Sequence, residues 1–231
     1  MSFYLYLNLA IIAFPLIFSF ERRIKFYTKT KPLIIALLLV GLFFVAWDAF
    51  ATSRGHWSFN PSYVHEIEFL GLPLEEILFF VTVPYSCLFV FDSVIHFLGD
   101  VELFHLRKWV PAVIGALVSL SSFAFFSNEY TFLAIFSVGV SILFVSLVNV
   151  RLFSSRAYWL YTLFTLLLFL IFNYILTSYP VVVYSSSAIT GFRVFTIPIE
   201  DFLFNFSMLT NYLAVYIWAS KKLKIDNAVY P

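Results

Sequence analysis

Two short acidic motifs carry the residues best suited to chemistry. Pro73-Leu74-Glu75-Glu76 is followed at once by Ile77-Leu78-Phe79-Phe80, and Pro198-Ile199-Glu200-Asp201 by Phe202-Leu203-Phe204. A single Pro-x-Glu-Glu has an ordinary structural reading: proline suits the first helical position, and the helix dipole favours acids in the first turn. Two copies, each opening an apolar run, point further. A carboxylate beside hydrocarbon costs roughly 3 kcal/mol unless it is paired, hydrated or protonated, so it is a functional candidate by default. Carboxyl groups crowded in a low dielectric cannot all ionise. One that keeps its proton can serve as a general acid while an ionised neighbour serves as base.

The elements that would position these acids are membrane helices. Of 231 residues, 62% are hydrophobic and only 12% charged, with 31 Phe and 14 Tyr; a soluble globular chain carries about 25% charge. Too little polar surface remains to coat a water-facing particle, so the composition predicts a polytopic membrane protein. A net charge of +1 gives no basis for a nucleic-acid partner. A lone Cys87 supports neither a disulfide framework nor a cysteine-based zinc site, and no metal is expected. No cleavable signal peptide is expected either, since the first apolar run lacks a basic segment before it and a small-residue cleavage site after it.

A crossing needs about 20 apolar residues. Seven runs qualify: Phe3 to Phe20, Pro32 to Ala51, Pro73 to Phe97, Trp109 to Ser127, Thr131 to Val150, Tyr158 to Thr177, and Ile197 to Ala219. Two connections are long, Thr52 to Leu72 and Ser178 to Thr196. Lys and Arg fall twelve on one side of the spans, and on the other only Arg54 and Arg193. That bias predicts a multi-pass protein of the cell membrane with its N-terminus outside, its C-terminus cytoplasmic and both long loops facing outward.

Self-comparison reveals a repeat. Shifted by 125 positions, Pro73-Leu74-Glu75-Glu76 falls on Pro198-Ile199-Glu200-Asp201, Asp48 on Asn173, Thr52 on Thr177, and Leu78-Phe79 on Leu203-Phe204. The expected fold is an all-α integral membrane protein with seven transmembrane helices, as two parallel three-helix repeats plus a connecting helix. The divisions are residues 1–108, 109–130 and 131–231. An odd connector leaves both motifs in the same leaflet, related by an axis along the membrane normal.

Span two runs outward and ends near Asp48, within about two turns of the level of Glu75 and Glu76; Asn173 stands likewise beside Glu200 and Asp201. These five carboxylates and Asn173 are expected to form one cluster between the halves. Adjacent helical residues point about 100° apart, so only one acid of each pair faces a shared cavity directly. Aromatic residues follow on the same helices: Phe79, Phe80, Tyr85 and Phe89, then Phe202, Phe204, Phe206 and Tyr212. Most serve packing, but some face the acids, where their π faces can stabilise a cation; Phe79, Phe80 and Phe204 are the candidates, with Asn205, which replaces Phe80 in the second copy. Asp92 and His96 read as an end-of-helix pair, His56 and His65 as weak metal candidates, and Arg54 or Arg193 as cations able to reach the acids.

The chain resembles the membrane lycopene cyclases whose halves are separate subunits in some bacteria and fused in archaea and fungi. The resemblance rests on both acidic motifs and on the sequence before them. Arg54-Gly55-His56-Trp57-Ser58-Phe59-Asn60-Pro61 precedes the first; Leu176-Thr177 and Gly191-Phe192-Arg193 precede the second. One departure is Ser178, where glycine is expected. No phytoene synthase domain of the fungal kind is expected. The resemblance implies an isomerase of the intramolecular-lyase class that acts as a lycopene β-cyclase, converting lycopene to γ-carotene and β-carotene within the bilayer and without a cofactor. Glu75 and Glu200 are the leading acid/base candidates, with Glu76, Asp201 and Asp48 supporting and Asn173 positioning. A homo-oligomer is left open.

Rival readings are a carboxylate-lined transporter, a cyclase of C50 carotenoids, a retinal photoreceptor and a prenyl transferase. The photoreceptor needs a lysine in span seven, and the transferase needs Asp-rich magnesium motifs; this sequence has neither.

Overall fold

A computed structural model describes residues 1–225; the last six positions of the second expected repeat lie outside the described residues. Seven α-helices follow the seven apolar runs: α1 (Phe3–Phe18), α2 (Thr30–Ser53), α3 (Leu74–Leu98), α4 (Trp109–Ser121), α5 (Glu129–Val148), α6 (Arg156–Ser178) and α7 (Ile199–Lys222). The chain is an all-α membrane protein. Helices α2, α3, α5, α6 and α7 are long and apolar enough to cross a bilayer. Helix α1 has 16 residues, which rise about 24 Å against a hydrocarbon core of about 30 Å. Helix α4 is also short and is continued by a 3₁₀ turn, Ser122–Phe125.

Short strands occupy the two long connections, where no periodicity announced them. The first holds β1 (Trp57–Phe59), β2 (Glu68–Phe69) and β3 (Leu72–Pro73); the second holds β4 (Val182–Tyr184), β5 (Arg193–Val194) and β6 (Ile197–Pro198). Ile197 and Pro198, expected inside the last span, instead close a hairpin against Val194 and Arg193. All three strands recur at the 125-residue shift. Moreover, β1 pairs antiparallel with β4, its own counterpart, in the register Trp57↔Tyr184, Ser58↔Val183 and Phe59↔Val182. The ladder is extended by Asn60 N–H to Val181 O and Ser185 N–H to His56 O, each 2.9 Å, and these residues are again 125 apart. A local two-fold axis therefore passes through the Ser58–Val183 pair.

Helices α3 and α7 run through the interior. Helix α1 packs on α3, α5 on α7, and α2 on both, while α6 packs mainly on α3. The connecting α4 lies along α5. Two glycines let their backbones meet: a Cβ on Gly115 would stand 2.8 Å from the Gly139 carbonyl oxygen, and one on Gly139 would stand 2.7 Å from that of Gly115. Small residues at such crossings are how membrane helices gain close packing. At the far end from the strands, Lys29 pairs with Asp92 at 2.8 Å and Tyr216 donates to the same carboxylate at 3.2 Å, all buried. Asp92 thus finds its ion-pair partner on another element.

Two helix-interior prolines leave carbonyls without an intrahelical partner, because proline has no N–H to offer four residues on. Both carbonyls are served by a neighbouring helix. Tyr212 Oη donates to Phe80 O at 2.8 Å, making up for Pro84, and Ser86 Oγ donates to Ile11 O at 3.1 Å, making up for Pro15. In hydrocarbon such orphans are costly. Replacing Tyr212 with Phe should lower stability by about 1–2 kcal/mol, read as a lower unfolding temperature in detergent. The loss should shrink in a Pro84→Ala background, where the backbone amide returns.

Candidate active site

The two acidic motifs begin α3 and α7 directly after a hairpin. Pro73 and Pro198 are the cap residues, and the turn behind each is locked by one backbone bond: Leu74 N–H to Ile67 O and Ile199 N–H to Phe192 O, both 3.0 Å. With the first turn held in this way, the 100° step between neighbours sends each acidic pair in two directions.

Glu75 and Glu200 turn toward the loops and α1 or α5. Glu75 Oε1 accepts from His65 N at 3.0 Å, lies 2.5 Å from His65 Nδ1, and accepts from Ser2 Oγ. Glu200 Oε1 accepts from Thr190 N and Thr190 Oγ1, each at 2.8 Å, and from Thr131 Oγ1 at 2.6 Å. His65 and Thr190 are equivalent positions. Both glutamates are buried, and each ties a loop to the helix start.

Glu76 and Asp201 turn inward, onto one chamber. Glu76 Oε2 accepts from Tyr4 Oη at 2.8 Å, and Asp48 lines the same chamber with its Oδ2 buried and without a donor. Asp48 Oδ1 accepts from Trp57 Nε1 at 2.9 Å. Asp201 is surrounded by donors: Tyr130 Oη at 2.8 Å on Oδ1, and Asn173 Nδ2 at 2.9 Å and Tyr184 Oη at 2.6 Å on Oδ2. Burial first, and then the Asp201 carboxyl, push the Tyr184 phenol well above its usual value, so it stays a donor.

Of the expected cluster, the structure brings Asp48, Glu76, Asp201 and Asn173 together and leaves Glu75 and Glu200 outside the chamber lining. Phe79, Phe80, Phe204 and Asn205 line the same space, as do Phe169 and Met208. The β1–β4 ladder closes it at the loop end through Trp57, Phe59, Val182 and Tyr184. The result is a space of about 70 Å³ with aromatic walls and carboxyl groups on both sides of the local axis. Other aromatics of the sequence reading pack elsewhere: Tyr85 Oη meets Ser19 Oγ at 2.6 Å, and Phe89 packs on Phe26.

Neither candidate arginine reaches these acids. Arg54 pairs with Glu129, which also meets His56 Nε2 at 2.8 Å. Arg193 donates to Thr196 O at 2.6 Å and lies 5.8 Å over the Tyr184 ring. Both side chains are spent at the surface, where water solvates their charge at no desolvation cost.

Four partners escaped the sequence reading: Tyr4, Trp57, Tyr130 and Tyr184. Tyr4 falls on Tyr130 at a shift of 126, one more than the rest of the repeat. The first helices of the halves thus correspond one residue out of step with the rest of the repeat.

The family model for lycopene cyclase matches residues 1–94 and 127–219, passing over the stretch that contains α4. Comparison with curated proteins and with solved structures returns no match. The match spans both halves and takes in the acidic motifs, the loops that hold them and every chamber residue: the chain belongs to the lycopene cyclase family.

Proposed function

We propose that this protein is a lycopene β-cyclase that closes rings at the ends of linear lycopene, giving γ-carotene and then β-carotene, by proton transfer inside the aromatic chamber. The observation that carries this reading is that Asp48, Glu76 and Asp201 all line one small chamber with aromatic walls. Ring closure is an isomerisation, so the chamber must add one proton and remove another. A proton held by Glu76 or Asp48, acids too crowded in a low dielectric to ionise together, goes to the terminal double bond. The tertiary cation that forms is attacked by an internal double bond, which closes a six-membered ring and moves the positive charge into it. Asp201 takes a ring proton, and a new ring double bond remains. Its three donors supply the hydrogen bonds an ionised carboxylate needs away from water. The π faces of Phe79, Phe80 and Phe204 offset the transient charge without offering a nucleophile.

In this reading the reacting role passes from Glu75 and Glu200 to Glu76, Asp48 and Asp201. Glu75 and Glu200 act as positioning residues through the loops they hold. In this reading the N-terminus is outside, the C-terminus is cytoplasmic and the chamber lies toward the outer leaflet, an orientation supported by the lysine and arginine bias.

Expression in bacteria that accumulate lycopene tests the whole reading: extracts should turn from red to orange-yellow and contain β-carotene, and unchanged red extracts with the protein present in the membrane would reject it. Glu76→Gln and Asp201→Asn should each reduce turnover by about 10²–10⁴-fold with little change in unfolding temperature. Glu75→Gln and Glu200→Gln should show the opposite balance, with a clear loss of thermal stability and a smaller loss of turnover. Full activity in Glu76→Gln would remove that residue from the reaction.

A further inference from the structure

The chamber is too small for its substrate. Small-molecule sites usually enclose about 300–1,000 Å³, and this one offers about 70 Å³. The rest of a long hydrocarbon must lie elsewhere; among the described residues, beside a smaller apolar space of about 230 Å³ between α6 and α7, two larger apolar slots can take it. One, of about 370 Å³, runs between α1 and α6 over α3. The other, of about 450 Å³, runs between α2 and α5 over α7. The local two-fold axis relates them: Thr165, Leu168, Phe169, Phe172, Ser86 and Val90 of the first correspond at the 125-residue shift to Val40, Phe43, Phe44, Trp47, Asn211 and Val215 of the second.

Their relation to the acids differs. The α1/α6 slot shares Phe79, Phe169, Asn173, Leu176 and Asn205 with the chamber, so the two spaces adjoin across those side chains. The α2/α5 slot shares no lining residue with it. A plug of rings explains this. Phe44, on the slot side, meets Phe204, on the chamber side, edge-on at 5.3 Å, and Trp47 packs on both at 6.3 and 6.1 Å. In the other half the matching position to Trp47 is the smaller Phe172, and Asn205 stands where Phe80 fills the first half.

We propose that the α1/α6 slot is the single lateral channel through which the polyene reaches the acids from the bilayer, and that the plugged α2/α5 slot is not used. This rests on the function proposed above. The mouth of the open slot is apolar and bilayer-facing, with Phe14 at 61% and Leu168 at 39% exposure. Hydroxyls in its wall are already spent: Ser86 donates to Ile11 O and Thr82 O, and Thr165 to Tyr161 O. A hydrocarbon is therefore its natural occupant. With one channel, one end of the molecule reaches the acids per occupancy. The second ring requires the monocyclic product to leave, reverse and return.

The test uses purified protein in liposomes carrying lycopene, with ring products followed in time. Filling the open slot with Ala10→Trp should lower the initial rate about tenfold or more; filling the other with Val140→Trp should leave it within about twofold. Equal losses, or a larger loss in Val140→Trp, would overturn the proposal. Should Ala10→Trp fail to fold, the wild-type protein still decides. Excess labelled lycopene, added once γ-carotene appears, should compete with it and depress further β-carotene formation, whereas undiminished conversion of bound γ-carotene would overturn the single-channel reading. Lycopene that co-purifies with the protein gives a readout independent of turnover. It should be lost in Ala10→Trp and kept in Val140→Trp, so a failure of the channel is distinguishable from a failure of the proposed chemistry.

Discussion

Five acidic side chains are held at the starts or ends of membrane helices, and the rest of the structure follows from what it takes to keep them there. Away from water a carboxyl group must find a donor or a shared proton. Here partners come from every direction: hydroxyls of α1 and α5, a backbone amide from each long loop, an indole from one strand and a phenol from the other. Those partners fix the loops, the loops fix the hairpins, and the hairpins fix where α3 and α7 begin. The chamber is what remains between them.

Division of labour within each acidic pair is a matter of helix phase. Glu75 and Glu200 spend their oxygens on local structure, and their immediate neighbours on the helix are thereby turned toward the opposite half. The same residue types, one position apart, serve architecture and, in the proposed reaction, chemistry. The halves also differ at one matched position: Asp48 in the first accepts from an indole, whereas Asn173 in the second donates to an acid. In the proposed reaction, two equal halves would give proton transfer no direction; the Asp–Asn difference supplies one.

Much of this was legible in the residues. Length and hydropathy marked all seven helices, and the 125-residue shift held for every strand as well as for α2, α3, α6 and α7. Helix rise alone placed Asp48 at the depth of the acids. Two things were hidden. Strands of two or three residues carry no periodicity, so the ladder that closes the chamber could not be seen. The choice between Glu75 and Glu76 depends on which way the first turn of α3 faces, and that is set by a hydrogen bond to Ile67, outside the helix. Arg54 and Arg193 were overvalued because charge in sequence says nothing of whether a long side chain has a nearer partner at the surface.

The ladder between β1 and β4 has a wider meaning. A strand that pairs antiparallel with its own equivalent, centred on matching residues, makes the isologous contact that identical chains make across a dyad. The polypeptide thus contains, within itself, the seam of a two-chain assembly, and α4 is the tether needed to turn partners into neighbours without inverting one of them. Once tethered, each side is free to mutate alone. A true pair of copies would have to keep both slots alike and both acids alike; covalent fusion is what lets rings close off one slot and lets Asn173 stand where the other half has Asp48.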